Sequence, residues 1–392
     1  MHNISIGSTK IKKIFILFLA FYLTSYVAKL GEFFSFSGLI TPLIFCILMF
    51  LFFFLKKEKI IINALDLLLS ISFVYSLFSV FFNNISIDHF MLLLQFNLLS
   101  IGSYFMVRFT SFQQSEIRLL MKFICLIFLN SIFLVYFFFP SGTLINSSLR
   151  LGGNYFNSVG LAYSTLVVFS SSITCLLYLK EEKLFWRVIY VISFILSLCI
   201  LFLSGSRGPF GIAILTLLLI GIRVFFNLSL IKKILYIAII APLVFYFIIN
   251  IEIDTSYRAL NFSVNDSVMN RFVTYKNAYN LISESPFLGD GFSDFQSKNG
   301  YPHNIILEML LYFGFIGFIF SFIIILSLIY LPFMIIFEKN IFKVSFFIII
   351  FIMLAPKLAS TNIGMSKELL IFLSLYITNK NVIRDGFNHN RF

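Results

Sequence analysis

The sequence predicts an all-α protein that crosses a membrane many times, and three observations carry that expectation. Of its 392 residues, 60% are hydrophobic and 12% are charged, whereas a soluble chain carries about 25% charged residues. With a mean hydropathy of +0.99, the chain has too little polar surface to face water on all sides. Apolar runs of roughly 20 residues recur along it, each long enough to cross about 30 Å of hydrocarbon as a helix. The short alternating segments of an outer-membrane barrel are absent.

These runs give about twelve spans: 12–30, 38–55, 60–82, 87–107, 119–139, 156–179, 184–203, 209–226, 231–250, 303–337, 341–358 and 363–379. The tenth is long for one helix and is expected to tilt, or to bend near Pro332. No small-residue cleavage site follows the first, so it is expected to be retained rather than removed as a signal peptide. With the N-terminus inside, an even number of spans puts both termini in the cytoplasm, with loops 56–59, 108–118, 180–183, 227–230 and 338–340. This leaves about 20 of the 29 Lys and Arg residues on the cytoplasmic side and about 9 outside, which follows the positive-inside rule. The net charge of +12 is therefore assigned to membrane topology and not to nucleic-acid binding. Segments 31–37, 83–86, 140–155, 204–208, 251–302 and 359–362 fall on the outer face. The chain reads as a single membrane domain, 1–392, and shows no internal repeat of the kind an inverted-repeat transporter carries.

Cys46, Cys125, Cys175 and Cys199 all sit inside apolar runs, and His2, His89, His303 and His389 are scattered. Neither set predicts a disulfide or a metal site, and no cofactor is expected.

The one long polar stretch is the outer loop 251–302, between the ninth and tenth spans. Asn265 or Asp266 can cap a helix over about 266–283. Within it Val268, Phe272, Tyr275, Tyr279 and Ile282 recur at helical spacing as an apolar stripe. Such a helix is expected to lie on the membrane surface or to cap a cavity. Pro286 stops it, and Gly289-Asp290-Gly291 makes a turn.

Four outward-side residues can carry chemistry: Arg150, Arg207, Arg271 and His303. Arg150 precedes the sixth span in Arg150-Leu151-Gly152-Gly153-Asn154. Arg207 precedes the eighth in Ser204-Gly205-Ser206-Arg207-Gly208-Pro209. His303 follows Pro302 at the start of the tenth, beside Asn304. Three helices thus begin at the outer face, each with a cation or potential cation at its mouth. Helix N-termini offer unpaired N–H groups and partial positive charge, and arginines add bidentate donors. If these mouths converge, they form a site for a dianionic group such as a lipid-linked pyrophosphate. An arginine at a span end ordinarily snorkels to the headgroups; the positive-inside rule and the Gly-Ser turn set Arg207 apart. Glu308, one turn into the tenth span, shares a face with Asn304. A carboxylate there is either functional or a structural hydrogen bond inside the bundle. Asp66, nearer the cytoplasmic end of the third span, reads as structural. Asp290 and Asp294 read as solvated loop acids.

These residues resemble the O-antigen polymerase and O-antigen ligase superfamily, of Wzy and WaaL type. The motifs that carry the resemblance are Ser204-Gly205-Ser206-Arg207-Gly208, then Asn270-Arg271 with Ser285-Pro286-Phe287-Leu288-Gly289-Asp290-Gly291, then His303-Asn304 with Leu307, Glu308, Gly314 and Gly317. They cover roughly Arg150 to Phe320. Asp290 departs from the family pattern, which often has His or another residue there.

The resemblance implies a metal-independent, inverting glycosyltransferase with a GT-C-like fold, working on the periplasmic face of the bacterial inner membrane. It implies undecaprenyl-pyrophosphate-linked oligosaccharides as donors and a chain-length-determining membrane protein as partner. On this reading Arg150, Arg207, Arg271 and Asn304 hold the pyrophosphate, and His303, Arg207 and Glu308 are catalytic, His303 either as general base or as phosphate ligand. The acceptor is another lipid-linked repeat unit for a polymerase, the preferred expectation, or lipid A core for a ligase. A lipid-linked oligosaccharide flippase is a more distant alternative, disfavoured because the spans hold few charges.

Overall fold

The computed structural model describes residues 2–28, 40–55, 61–82, 87–110, 112–138, 158–178, 182–229, 231–233, 266–291, 302–358 and 366–389. Most of the ninth span, the 140–155 loop with Arg150, and Asp294 lie outside the described residues. The described chain is helical: α1 (His2–Ala28), α2 (Ile40–Phe53), α3 (Ala64–Phe82), α4 (Ile87–Leu94 continuing through Gln95–Gly102 and Ser103–Thr110), α5 (Gln114–Phe138), α6 (Ser158–Leu177), α7 (Leu184–Leu203), α8 (Arg207–Phe226), the loop helix α9 (Asp266–Glu284), α10 (Ile305–Phe337), α11 (Ile341–Leu354) and α12 (Lys367–His389). A 3-10 turn, Ala355–Leu358, ends α11. Six helical stretches among the described residues are long and apolar enough to cross a membrane: 90–110, 160–177, 184–203, 207–226, 305–337 and 341–358. This is the architecture of a polytopic membrane protein.

The helices α1, α5, α6 and α11 pack into the centre, and α12 closes against α4 and α11. The α6 helix is largely buried, although it carries many hydroxyls. Ser164, Thr165, Ser170, Ser172 and Thr174 each donate to a carbonyl three or four residues back, which satisfies these five hydroxyls within the helix, while Ser171 Oγ is buried with no hydrogen-bond partner among the described residues. By contrast α8 exposes Leu215, Leu218, Ile222 and Phe226, the apolar surface that hydrocarbon would cover.

One end of the bundle is tied by charge. Lys12 pairs with Glu116 at 2.9 Å and Lys122 with Glu182 at 2.8 Å. Asp66 accepts from Tyr104 Oη at 2.6 Å and from Arg108, whose Nη2 also donates to the Ile61 carbonyl. This cluster joins α3 to α4 and gives Asp66 a structural place. At the same end the Arg223 guanidinium donates to the Ile335 and Glu338 carbonyls at 3.0 and 2.6 Å, capping the last turn of α10 with a cation.

The middle of α4, Gln95–Gly102, is a π-helix. Its widened turn leaves the Leu99 carbonyl open to Tyr22 Oη at 2.8 Å and Ser103 Oγ at 2.6 Å, and Asn97 accepts from Ser76 Oγ at 2.8 Å.

The tenth span is not the single tilted helix expected, and the break is not at Pro332. It is a helical hairpin that turns at Gly314 (φ 50°, ψ −119°), the one non-helical residue inside α10. Ser321 Oγ donates to the Ile306 carbonyl at 3.4 Å, a pair about 22 Å apart in a straight helix. Gly317 lies directly on Met309, where a Cβ would collide with the Met309 carbonyl. The short arm, 305–313, therefore folds back antiparallel along the start of the long arm, 315–337. At 1.5 Å per residue the long arm alone is about 34 Å, enough to span. Only Gly314 permits this reversal, since an L side chain is disfavoured at its φ.

Candidate functional site

Of the candidate residues, the structure describes Arg207, Arg271 and His303, which belong to the end of the bundle away from Asp66–Arg108. The α8 mouth is built by the turn Ser204-Gly205-Ser206, which reverses with Gly205 at φ 63°. Ser204 Oγ donates to Leu201 O at 2.7 Å and accepts from the Ser206 N–H at 3.2 Å. The helix then starts at Arg207. Its N-cap, Ser206, is extended and offers no side-chain cap, and Pro209 in the first turn has no N–H. Among the described residues, the N–H groups of Arg207 and Gly208 therefore have no side-chain cap, the condition in which a helix start receives an anion. Arg207 is half-buried and forms no ion pair among the described residues.

The mouth of α10 is different. Asn304 Oδ1 accepts from the N–H groups of Ile306 and Leu307 at 2.9 and 3.3 Å. That helix start is already capped, so Asn304 can offer an anion only its amide N–H groups, and the backbone there adds little. His303 precedes it at φ 52°, the one non-glycine at positive φ among the described residues. Such a conformation is disfavoured and persists where the surroundings impose it, often at functional sites. Burial and the nearby positive charge of Arg271 on α9, in that order, hold the His303 imidazole below its ordinary 6.5. It is therefore neutral near pH 7 and able to accept a proton.

Register relates the two mouths. The α8 and α10 helices pack together, and Arg223 meets the Ile335 carbonyl at their far end. Arg207 is about 24 Å from Arg223 along α8, and Ser321, which holds Ile306, is about 21 Å from Ile335 along α10. The starts of α8 and of the short arm thus stand at about the same height.

The loop following α9 fixes the hairpin from outside. Asp290 N–H donates to the Leu311 carbonyl at 2.7 Å and Phe315 N–H to the Phe287 carbonyl at 3.0 Å. Tyr75 Oη donates to the Leu288 carbonyl, and the Tyr75 and Phe96 rings pack on Phe313. The two glycine-bearing motifs are thus one structural unit. The stripe expected on α9 is rotated: Ala278 is the buried residue, with Tyr275 and Ile282 half-buried, while Phe272 and Tyr279 face outward. Packing against α10 selects the small Ala278 rather than the aromatic residues.

Glu308 lies beneath the Asn304 mouth. Its side chain is wholly buried, one turn below Asn304, whose carbonyl accepts its N–H at 3.0 Å. Lys357, in the 3-10 turn, was passed over in the sequence as part of a span, yet it is buried beside α8 and α10. A lysine near the outward end of an apolar run was the available signal, because a buried cation there is costly.

A multi-pass helical bundle with a cationic mouth and a clasped hairpin at one end is the class these features define. Residues 192–322 match the Wzy_C family model, described as O-Antigen ligase, a stretch running from α7 to the hairpin. Over that third of the chain the protein is similar to the O-antigen ligase family, which supports a function of O-antigen ligase or polymerase type in general. No curated protein and no solved structure matches the chain.

Proposed function

We propose that this protein is a polymerase of undecaprenyl-pyrophosphate-linked oligosaccharide repeat units, building O antigen or a related surface polysaccharide on the periplasmic face of the inner membrane. One observation carries the reading: an uncapped, arginine-headed helix start stands level with a neutral histidine that precedes a second helix start. The acceptor sugar hydroxyl attacks the anomeric carbon of the donor glycan. The bond from that carbon to the pyrophosphate oxygen breaks with its electron pair, and the hydroxyl proton passes to His303. Negative charge grows on undecaprenyl pyrophosphate as it leaves, and Arg207 with the α8 N–H groups stabilises it most at that stage. Arg150 and Arg271 add charge, and Asn304 donates through its amide. Attack opposite the leaving group inverts the anomeric centre. No step in this scheme calls on a metal ion. Glu308 supports the site from beneath.

The family description favours a second reading, an O-antigen ligase that passes the glycan to lipid A core. Purified protein with lipid-linked repeat units alone distinguishes them. A ladder of lengthened products supports the polymerase. Products only after lipid A core is added, each one donor glycan long, support the ligase. Normal transfer by Arg207→Ala and His303→Ala at equal protein level overturns the site assignment in both.

A further inference from the structure

At the end of the bundle tied by charge, a cavity of about 340 Å³ opens between α1 and the start of α5. Lys13 lines it from α1, and Ser115, Glu116 and Lys122 line it from α5. The Glu116 carboxylate is already engaged: it lies 2.9 Å from Lys12 Nζ and accepts from the Gln113 N–H at 2.8 Å. Lys122 Nζ sits 2.8 Å from Glu182 and 5.1 Å from the centroid of the Trp186 ring, and Arg187 Nε donates to the Glu182 carbonyl at 2.8 Å. Lys13 is exposed and forms no ion pair among the described residues. Four cations, Lys12, Lys13, Lys122 and Arg187, thus meet two carboxylates, Glu116 and Glu182, and two positive charges are left over. The partial positive charge at the N-terminus of α5 adds to this surplus.

A lysine at a span end ordinarily snorkels to water. Lys122 does not: it stands about two turns into α5, and its side chain is 20% exposed between Glu182 and Trp186. Apolar side chains are exposed beside these cations. Ile14, next to Lys13, is 45% exposed, and Leu184 and Phe185 at the start of α7 are 75% and 66% exposed, with the Phe185 ring packed edge-on against Trp186. A free anion would answer the charge and leave this apolar surface bare. A ligand that carries both a phosphate and hydrocarbon covers both.

We propose that this cavity is a binding site for an anionic phospholipid of the adjoining leaflet. Its phosphate lies between Lys13 and Lys122 and accepts from the Ser115 hydroxyl, and its acyl chains run over Ile14, Leu184 and Phe185. Basic pockets between membrane helices receive anionic headgroups by this chemistry. The site lies at the opposite end of the bundle from Arg207 and His303, so it does not depend on the transferase reading.

The test uses full-length protein stripped of lipid in detergent. It is titrated separately with phosphatidylglycerol, with phosphatidylcholine of the same acyl chains, and with glycerol phosphate, and bound lipid is read by native mass spectrometry beside the thermal unfolding midpoint. Phosphatidylglycerol binds saturably and raises the midpoint by about 3–5 °C at saturation. Phosphatidylcholine and glycerol phosphate each bind about tenfold more weakly or less, since one lacks net charge and the other lacks chains. Lys13→Gln and Lys122→Gln each weaken phosphatidylglycerol about fivefold, and Lys13→Glu about thirtyfold, as loss or reversal of one charge contact does. Lys232→Gln, at an exposed lysine of the same end that does not line the cavity, leaves the affinity unchanged. If Lys122→Gln does not fold, because it takes the cation from Glu182, Lys13→Glu decides. An equal loss in Lys232→Gln overturns the site in favour of diffuse attraction to a basic surface. Equal affinity for phosphatidylcholine overturns it in favour of ordinary boundary lipid, and equal affinity for glycerol phosphate overturns the lipid in favour of a free anion.

Discussion

Gly289 and Gly314 meet main chain to main chain. A Cβ added to Gly289 would stand 2.7 Å from the Gly314 nitrogen, and one added to Gly314 would stand 2.5 Å from the Gly289 nitrogen and the Phe287 carbonyl oxygen. Both glycines have positive φ, 71° and 50°. Gly289→Ala or Gly314→Ala is therefore expected to cost about 1–3 kcal/mol from strain, with steric displacement added. The measurement is thermal unfolding in detergent beside transfer assays. A variant with unchanged midpoint and full turnover would show that the clasp does not set the hairpin.

Arg207→Ala is expected to lower kcat about 10²–10³-fold, the usual effect of removing one preorganised donor from a developing anion. Arg207→Lys keeps the charge but not the planar fork, and it should recover only part of the loss. Full activity in the lysine variant would reduce the role of Arg207 to simple charge.

The depressed titration of His303 gives a signed pH prediction. As a base it works unprotonated, so kcat/KM rises with pH through a value below 6.5 and is flat above it. Arg271→Ala removes a neighbouring positive charge, which lets the imidazole hold its proton to higher pH, and the limb moves upward toward 6.5. A profile that instead falls as His303 deprotonates would make it a phosphate ligand in its charged form.

The Asp66–Arg108 pair should separate stability from chemistry. Both side chains are under 10% exposed, with Nε 3.3 Å from Oδ1. Arg108→Met strands a buried carboxylate and is expected to cost about 3–5 kcal/mol of stability. The pH profile of the protein that remains folded should not move, because the pair lies at the far end of the bundle. Kinetics on folded material, corrected by size-exclusion yield, check both halves of the statement.

The helices of the described spans, the outer loop helix and the arginine-bearing α8 turn were legible because apolar length, capping residues and Gly-Ser turns are local signals. The hairpin was not. Residues 305–313 and 315–337 are equally apolar, so hydropathy joins them, and the reversal is encoded by Gly314 only once its partner Gly289 is in place. The Pro332 signal misled because the proline removes one hydrogen bond, to the Leu328 carbonyl, without turning the backbone out of the helix. Asn304 was legible as a neighbour of His303 but not as a cap that uses up its own carbonyl oxygen. Lys357 escaped because a lone lysine at a span end is ordinarily a snorkelling residue, and only the packing of the 3-10 turn shows it facing inward. Arg150 lies outside the described residues, so its place beside Arg207 rests on the sequence.

Because the hairpin is latched through amides and carbonyls of Phe287, Asp290, Leu311 and Phe315, the projecting groups around it are free to be exchanged. Phe287, Leu288 and Phe315 are 77%, 70% and 56% exposed. A library randomised at these three positions, with the glycines untouched, should yield mostly folded and active members. Sequence change at this rim is thereby uncoupled from the main-chain latch beneath it.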